Sequence, residues 1–242
     1  MISYGPLAKW YDDLTEEIPY DQFAEYYKKI FLQNGSDFHL LLDLCCGTGT
    51  LTCKMAEAGY EMIGTDGSAE MLSMAMNKAY SCSTPPLFLC QQAEKLDLYG
   101  TVDAAYSSLD SINYISPDVL PEVFRRLSLF IRPGGLFIFD IRSESWLQSL
   151  DGQVSVSEDD NVLCLWRTEF NRQDRIISYY MDIFSRRGKL WERNEETHME
   201  YAYSVPQLKD MLSAEGFTGI TVDTEGPQGE IGRVFFVCKR NG

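Results

Sequence analysis

The sequence has little positive charge and almost no histidine. Its 242 residues include 21 Lys and Arg against 36 Asp and Glu, a formal net charge of −15, and only two histidines. Nucleic-acid binders depend on basic patches, and basic doublets such as those at 125–126, 186–187 and 239–240 are short. A nucleic-acid partner is therefore not expected. His39 and His198 lack the spacing of metal ligands, so no metal site is predicted.

The marks of a membrane or secreted protein are also lacking. No apolar run approaches the roughly 20 residues that a membrane-spanning helix needs. The first six residues do not combine a basic region with an apolar one, as a secretion signal does. The seven cysteines contain no C-x-x-C pair, and Cys45 and Cys46 are adjacent. This pattern predicts reduced cysteines in a cytoplasmic protein.

The most informative stretch is residues 40–52, LLLDLCCGTGTLT. An apolar run ending in an acid predicts a buried strand of a parallel sheet. Gly47 and Gly49 predict a turn whose backbone lies close to a ligand, and the next helix would point free N–H groups at it. The stretch therefore indicates a cofactor loop. A dinucleotide fingerprint would have a third glycine where Thr52 stands, and Asp43 would repel a pyrophosphate.

The whole chain predicts an α/β protein with a doubly wound, seven-stranded sheet, and the βαβαβ alternation of its first five strands indicates parallel pairing. Its strands are predicted at residues 40–44, 61–65, 87–90, 102–107, 136–141, 218–223 and 233–239. Helices are predicted to begin near residues 21, 50, 69, 117 and 205.

Residues 143–203 interrupt this alternation. Runs of β-branched and aromatic residues lie at 162–170, 176–184 and 190–203. Turn residues separate them, so we expect a small antiparallel sheet inserted into the α/β domain. The α/β domain would comprise residues 1–142 and 204–242, with an aromatic-rich arm and a helix in residues 1–35.

The loops after the first four strands resemble the successive motifs of class I S-adenosylmethionine-dependent methyltransferases, over roughly residues 37–141. The resemblance implies a Rossmann-like methyltransferase sheet and S-adenosylmethionine as cofactor, with S-adenosylhomocysteine as product. In the family, the acid at the position of Asp66 takes the ribose hydroxyls, and the backbone after the fourth strand receives the methionine ammonium group. The cofactor residues that it implies are Tyr11, Tyr20, Asp43, Cys45, Gly47, Thr48, Gly49, Asp66, Gly67, Met71, Gln92, Ala93, Leu109 and Asp110.

Two positions depart from the family pattern. Gln92 stands where the family usually has an Asp that accepts from the adenine amino group, and Glu94 is an alternative acceptor. Gly67 stands where an apolar side chain usually covers the adenine. Other apolar groups, Met71 among them, would then have to supply that packing.

The resemblance also implies catalytic candidates. Asp110 would face the transfer site and orient an amine, accept its proton or stabilise the sulfonium; a turn-capping role is the alternative. Tyr11 and Tyr20 resemble the arm of small-molecule N-methyltransferases, including enzymes for amino sugars, in which tyrosines close over the sulfonium. A cation near an aromatic face gains about 0.5–2 kcal/mol. His198 is a candidate base near neutral pH. Purely structural roles for Tyr11, Tyr20 and His198 remain open.

The sequence thus predicts a methyltransferase that acts on an N or O atom of a small molecule, with the inserted sheet as a substrate lid. A non-catalytic S-adenosylmethionine-binding regulatory protein is one alternative. An NAD(P)-dependent oxidoreductase is another, which Thr52 disfavours. Neither the acceptor nor an oligomeric state follows from the sequence.

Overall fold

The computed structural model describes residues 4–35, 38–229 and 231–242, so the first three residues of the predicted arm lie outside the described part. The strands are β1 (Leu40–Leu44), β2 (Glu61–Asp66), β3 (Leu87–Cys90), β4 (Val102–Ser107), β5 (Ile131–Arg142), β6 (Val154–Asp159), β7 (Val162–Asn171), β8 (Ile176–Arg187), β9 (Leu190–Tyr201), β10 (Phe217–Asp223) and β11 (Arg233–Arg240). The α-helices are α1 (Tyr11–Leu14), α2 (Tyr20–Asn34), α3 (Thr50–Glu57), α4 (Ala69–Ala79), α5 (Leu120–Phe130), α6 (Glu144–Ser149) and α7 (Val205–Ala214).

A seven-stranded sheet has the spatial order β10-β11-β5-β4-β1-β2-β3. Strands β1 to β5 pair in parallel, while β11 pairs antiparallel to β5 and β10 antiparallel to β11. In this register Asp43 lies beside Gly64 of β2 and Tyr106 of β4. The predicted doubly wound sheet is confirmed, and its reversal of strand order lies between β1 and β4.

Both faces of this sheet are covered, which explains the continuous apolar run of β1. Successive strand residues point to opposite faces, so Leu42 joins a core cluster that includes Phe124 of α5, and Leu41 joins one that includes Tyr27 of α2. All four side chains are buried. Full burial of an apolar side chain of this size contributes about 1.5–3 kcal/mol, and these two layers hold the ends of the strands in place.

A second, four-stranded antiparallel sheet has the order β6-β7-β8-β9. The last three strands lie where the sequence predicts them, but β6 and α6 were not predicted. β6 is an edge strand on which Val154 and Val156 are exposed. Sequence patterns detect strands by a buried apolar face, and β6 has none. The arm packs on this sheet, with Tyr4, Leu7 and Trp10 in one cluster with residues of β7 and β8.

Helix α5 begins later than predicted. The carbonyl of Ser116 accepts from the backbone N–H groups of Val119 and Leu120, and residues 117–119 form a turn. Pro121 then lies in the first turn of the helix, where a missing N–H has no cost. In the described ranges, no helix is both long and apolar enough to span a membrane.

Candidate active site

A cavity of about 420 Å³ lies at the carboxyl ends of β1, β2, β3 and β4. The arm and β9 contribute further walls, so the cavity lies between the two sheets. The predicted site residues that line it are Tyr11, Tyr20, Asp43, Cys45, Gly47, Thr48, Asp66, Gly67, Met71, Gln92, Ala93 and Leu109. Gly49, Asp110 and His198 do not line it.

Asp43 is a buried carboxylate at the end of β1. It is 2% exposed, and Thr52 Oγ1 donates a hydrogen bond to its Oδ2 at 2.5 Å. Burial raises the pKa of Asp43 to about 7, although the hydrogen bond from Thr52 works against that rise. Thr52, which stands in place of a third glycine, therefore fixes the orientation of the Asp43 carboxylate. Asp43 is placed to attract a positive charge in the cavity.

Gly49 has a structural function at the start of α3. Its φ is +71°, and a Cβ there would lie 2.8 Å from Ala75 Cβ and 2.9 Å from the Phe88 ring. Both the left-handed backbone and the close packing on α4 and β3 require glycine. Packing and backbone conformation therefore explain why residue 49 is glycine, without any contact to a ligand. A cofactor contact at Gly49 stays a prediction.

Asp66 joins the first two loops. Its Oδ2 accepts from Gly47 N at 2.9 Å and its Oδ1 from Ser68 N at 2.8 Å. Burial raises the pKa of Asp66, and these backbone hydrogen bonds oppose the rise. A carboxylate oxygen has more than one lone pair, so the group can still accept from two vicinal hydroxyls in the cavity.

The two departures from the family pattern compensate for each other. A Cβ on Gly67 would lie 2.6 Å from Gln92 Nε2 and 2.8 Å from Gln92 Oε1. The amide of Gln92 thus occupies the space that a side chain at position 67 would fill. Both residues line the cavity, next to Met71 and Ala93. No single-position pattern reveals this pairing, because it becomes visible only when the ends of β2 and β3 are brought together.

The turn after β4 has an unusual backbone. Leu109 and Asp110 have φ angles of 57° and 55°, a left-handed conformation that is uncommon for residues with a Cβ. The carboxylate of Asp110 is 2.7 Å from Arg233 Nη1 and 3.8 Å from Arg142 Nε. This pairing draws it away from the cavity lining. The predicted catalytic function of Asp110 stays a prediction, and its side chain does not cap the turn.

Arm and glycine loop are connected through Asp12. Its Oδ1 accepts from Thr48 Oγ1 at 2.7 Å, and its Oδ2 pairs with Lys78 Nζ at 2.6 Å. Lys78 Nζ also donates to Thr50 Oγ1 at 2.5 Å. These contacts place Tyr11, the residue before Asp12, on the cavity wall.

The other end of the arm is held by the inserted sheet. Glu196 of β9 accepts from the backbone N–H groups of Gly5 at 3.1 Å and Leu7 at 3.0 Å. His198 Nε2 lies 2.8 Å from Glu196 Oε1, and since a carboxylate only accepts, this nitrogen carries the proton. Although burial works to raise it, the pKa of Glu196 is lowered by the hydrogen bonds from His198, Leu7 and Gly5.

His198 lies behind the cavity wall. It is 2% exposed, and its ring packs 4.4 Å from that of Tyr4. Its Nδ1 lies 3.4 Å from the hydroxyl of Tyr114, to which Tyr4 donates a hydrogen bond at 2.9 Å. Tyr4 and Tyr114 line the cavity. His198 can therefore act on a ligand through Tyr114, and its predicted catalytic function stays a prediction.

One part of the cavity lies between the turn after β4 and the inserted sheet, and we refer to this part as the compartment. The lining residues on these elements are Ser111, Tyr114, Ile115, Ser116, Val119, Thr197, Met199 and Tyr201. Among the described residues that line the whole cavity, the charged ones are acids, and none is Lys, Arg or His. Within the described ranges, no group of three or more His, Cys, Asp or Glu side chains is placed to hold a metal ion.

Comparison with known proteins agrees with this geometry. Residues 41–135 match the methyltransferase domain family. The chain is 30% identical over 247 residues to YqeM of Bacillus subtilis (strain 168), a methyltransferase by name, with 98% of this chain and 97% of that protein covered. It is 31% identical to an S-adenosylmethionine-dependent methyltransferase from Clostridium acetobutylicum ATCC 824, whose crystal structure superposes with a TM-score of 0.86 over 98% of both chains.

The fold is shared more widely. The sugar N-methyltransferase KedS8 from Streptoalloteichus sp ATCC 53650 superposes with a TM-score of 0.83 at 17% identity, over 100% of this chain and 95% of that chain. The expected fold and cofactor are thus confirmed, and the oxidoreductase and non-catalytic alternatives are set aside. On sequence, fold and cavity together, the chain belongs to the S-adenosylmethionine-dependent methyltransferases.

Proposed function

We propose that this methyltransferase acts on an N or O atom of a small molecule that binds in the compartment between the turn after β4 and the inserted sheet. The observation that carries the proposal is a cavity of about 420 Å³ with walls from the arm and β9. A cavity of this size is typical of small-molecule sites. The fold shared with a sugar N-methyltransferase supports the same acceptor class.

The residues around the cavity fit the cofactor, and we assign them by chemistry. Asp66 accepts from the ribose hydroxyls, and the amide of Gln92 with the backbone of Ala93 binds the adenine. Asp43 attracts the ammonium group of the methionine end. Met71 and the glycine loop supply packing. When bound, S-adenosylmethionine supplies the electrophilic methyl carbon of the reaction.

The charges of the residues that line the cavity restrict the class of acceptor. Its charged residues are Asp43, Asp66 and Glu94, so an acceptor that carries phosphate or carboxylate would meet repulsion without a cationic partner. A neutral or positively charged acceptor is favoured, and a nucleic acid is disfavoured by the same argument. Hydroxyl groups of Ser111 and Tyr114 offer hydrogen bonds that orient it.

The chain contributes mainly positioning to the reaction. Holding two reactants in line, away from water, lowers a barrier by several kcal/mol. Tyr4 and Tyr11 pack edge to face with ring centroids 5.6 Å apart, and burial raises the pKa of both. They therefore stay neutral and present aromatic surface to a cation. Asp110 and His198 remain our candidates for acting on the acceptor's proton, the latter through Tyr114.

Two further assignments belong to this proposal. Residues 143–203 form the substrate lid, and residues 1–142 and 204–242 form the cofactor domain. All seven cysteines lie in the described part of the chain and are free thiols, which supports a reducing, cytoplasmic location.

The proposal is tested by incubating the enzyme with S-adenosylmethionine labelled in its methyl group and a bacterial whole-cell extract, which contains protein, nucleic acid and metabolites. Protein, nucleic acid and small molecules are then separated and counted. We expect label in the small-molecule fraction, and loss of that label with an Asp66→Ala variant. Label that appears only in protein or nucleic acid would contradict the proposal.

A further inference from the structure

We propose that Asp140, held in place by Arg233, is a positioning residue for the amino-acid end of the cofactor. Through two backbone hydrogen bonds it sets the turn of residues 108–110 so that the carbonyl of Leu109 faces that end. This inference rests on the cofactor placement proposed above, and its test separates the two.

The turn needs an external support because its backbone is unfavourable. Leu109 and Asp110 are consecutive left-handed residues, both with a side chain. Such conformations cluster at functional sites and persist only where surrounding contacts enforce them. Neither residue is glycine, so the conformation is imposed on the turn from outside.

Asp140 supplies this support from the core. It lies on β5 and is 0% exposed. Its Oδ1 accepts from Leu109 N and its Oδ2 from Asp110 N, both at 2.9 Å. One carboxylate thus holds the N–H groups of both left-handed residues.

Arg233 pairs with that carboxylate and orients it. The guanidinium is buried on β11, and its Nη1 contacts both Asp140 Oδ2 and Asp110 Oδ1. Burial raises the pKa of Asp140, and the positive charge of Arg233 opposes that rise. Arg233 therefore connects Asp140 to Asp110 of the turn.

The direction of the N–H groups fixes the direction of a carbonyl. In a trans peptide the C=O points opposite to the N–H of the same peptide unit. The N–H of Asp110 points at Asp140, so the C=O of Leu109 points away from the core. Leu109 lines the cavity, whereas the neighbouring carbonyl of Ser108 already accepts from Ser111 Oγ at 2.8 Å.

Sheet register places the turn at the end of β4 that neighbours Asp43 of β1. Asp43 lies beside Tyr106 in the β1–β4 pair, and the turn begins two residues after Tyr106. A cationic group that approaches Asp43 therefore meets the Leu109 carbonyl as a second acceptor. The ammonium group is the cationic part of S-adenosylhomocysteine, and the adenosine part lacks one.

This difference between ligands gives the test. Isothermal titration calorimetry would compare S-adenosylhomocysteine with 5′-methylthioadenosine, which keeps the adenosine and the thioether but lacks the amino-acid end. For Asp140→Asn we expect about tenfold weaker binding of S-adenosylhomocysteine, the size of a lost hydrogen bond to a charged group. Binding of 5′-methylthioadenosine should stay within about twofold of wild type.

The chain offers a matched control in Asp103. Its Oδ2 accepts from His39 N at 2.7 Å and Leu40 N at 2.9 Å, and its Oδ1 from Arg132 Nε at 2.8 Å. Like Asp140, Asp103 accepts from two consecutive backbone N–H groups and pairs with an arginine, but it lies at the opposite end of β4 from the cavity. Asp103→Asn should change the affinity for neither ligand.

Arg233→Lys keeps the charge and tests the same contacts if Asp140→Asn folds poorly. We expect this variant to weaken the binding of S-adenosylhomocysteine but not that of 5′-methylthioadenosine, and by less than Asp140→Asn does. Equal weakening of both ligands would show a general structural function and overturn the inference, as would unchanged binding of both. Wild-type protein that binds neither ligand would instead contradict the cofactor placement itself.

Discussion

At the scale of single residues, Asp43 illustrates how burial changes the pKa of a carboxyl group. The carboxylate lies almost out of reach of water, with Thr52 as its hydrogen-bond donor. Burial raises its pKa from 3.8 to about 7. In the protein without ligand, the acid form is therefore favoured below neutral pH, while a bound cation favours the carboxylate.

Ligand binding should consequently release a proton from Asp43. We expect binding of S-adenosylhomocysteine at pH 6 to release up to about one proton and to tighten as the pH rises toward 7, and then to level off. Calorimetry in buffers of different ionisation enthalpy measures the released protons. As control, 5′-methylthioadenosine also reaches Asp66 but carries no ammonium group, and it should release none at Asp43. Equal release with both ligands would show that another group titrates.

The sign for stability follows from the same pKa. The pKa of Asp43 is higher in the folded protein than the unfolded value of 3.8. Asp43 therefore stabilises the fold fully below about pH 4, and this stabilisation is lost as the pH rises to about 7. In Asp43→Asn, the free energy of unfolding should no longer decrease over this pH range on account of residue 43. Urea unfolding at pH 5 and pH 8 checks it, since the variant should gain more stability relative to wild type at pH 8 than at pH 5.

Gly67 and Gln92 should behave as a coupled pair. A side chain at position 67 collides with the Gln92 amide, so Gly67→Leu should weaken S-adenosylhomocysteine binding several-fold. With Gln92→Ala in the same chain, part of that loss should return, because residues in contact are not additive. Binding of the two single variants and the double variant completes the cycle. Gly100→Ala is the control, since a Cβ there meets nothing within 4 Å; strict additivity would refute the pairing.

At the scale of elements, the arm depends on contacts at both of its ends. Asp12 connects it to the glycine loop and to α4, and Glu196 connects it to β9. The arm lies over the cavity through Tyr4 and Tyr11. We therefore expect the arm to move when a ligand as large as S-adenosylmethionine enters or leaves.

Asp12→Asn should therefore change rates more than stability. The Lys78–Asp12 pair is partly exposed, at 29% and 33% of the two side chains, so its loss should cost about 0–1 kcal/mol. The dissociation rate of S-adenosylhomocysteine should rise several-fold. Stopped-flow fluorescence can follow it, since Trp10 lies in the arm. Glu122→Gln, which removes a surface pair on α5, should leave the rate unchanged; an unchanged rate in Asp12→Asn would contradict the gating function.

The elements that could be predicted from sequence are those with a local signal. The apolar run and glycines of residues 40–52 predict β1, its turn and α3, and helical periodicity predicts α2. β6 was missed because its valines are exposed on an edge strand. The pairing of Asp140 with Arg233 was missed because the two residues are 93 positions apart, and only the β5–β11 register brings them together.

At the scale of the whole molecule, we assign the cofactor and the acceptor to different parts of the chain. The seven-stranded sheet supplies Asp43, Asp66 and Gln92, whereas β9 and the turn after β4 supply the walls of the proposed acceptor compartment. The cofactor was therefore predictable from motifs of the sheet. The acceptor compartment was not, because it forms only when the arm, the inserted sheet and the α/β domain meet.

The most direct test is a crystal structure of the protein with S-adenosylhomocysteine. Our account places the adenine beside Gln92, the ribose on Asp66 and the ammonium group between Asp43 and the carbonyl of Leu109. The sulfur should then face the compartment lined by Tyr114. A reversed ligand, or a sulfur atom that faces away from that compartment, would contradict the account.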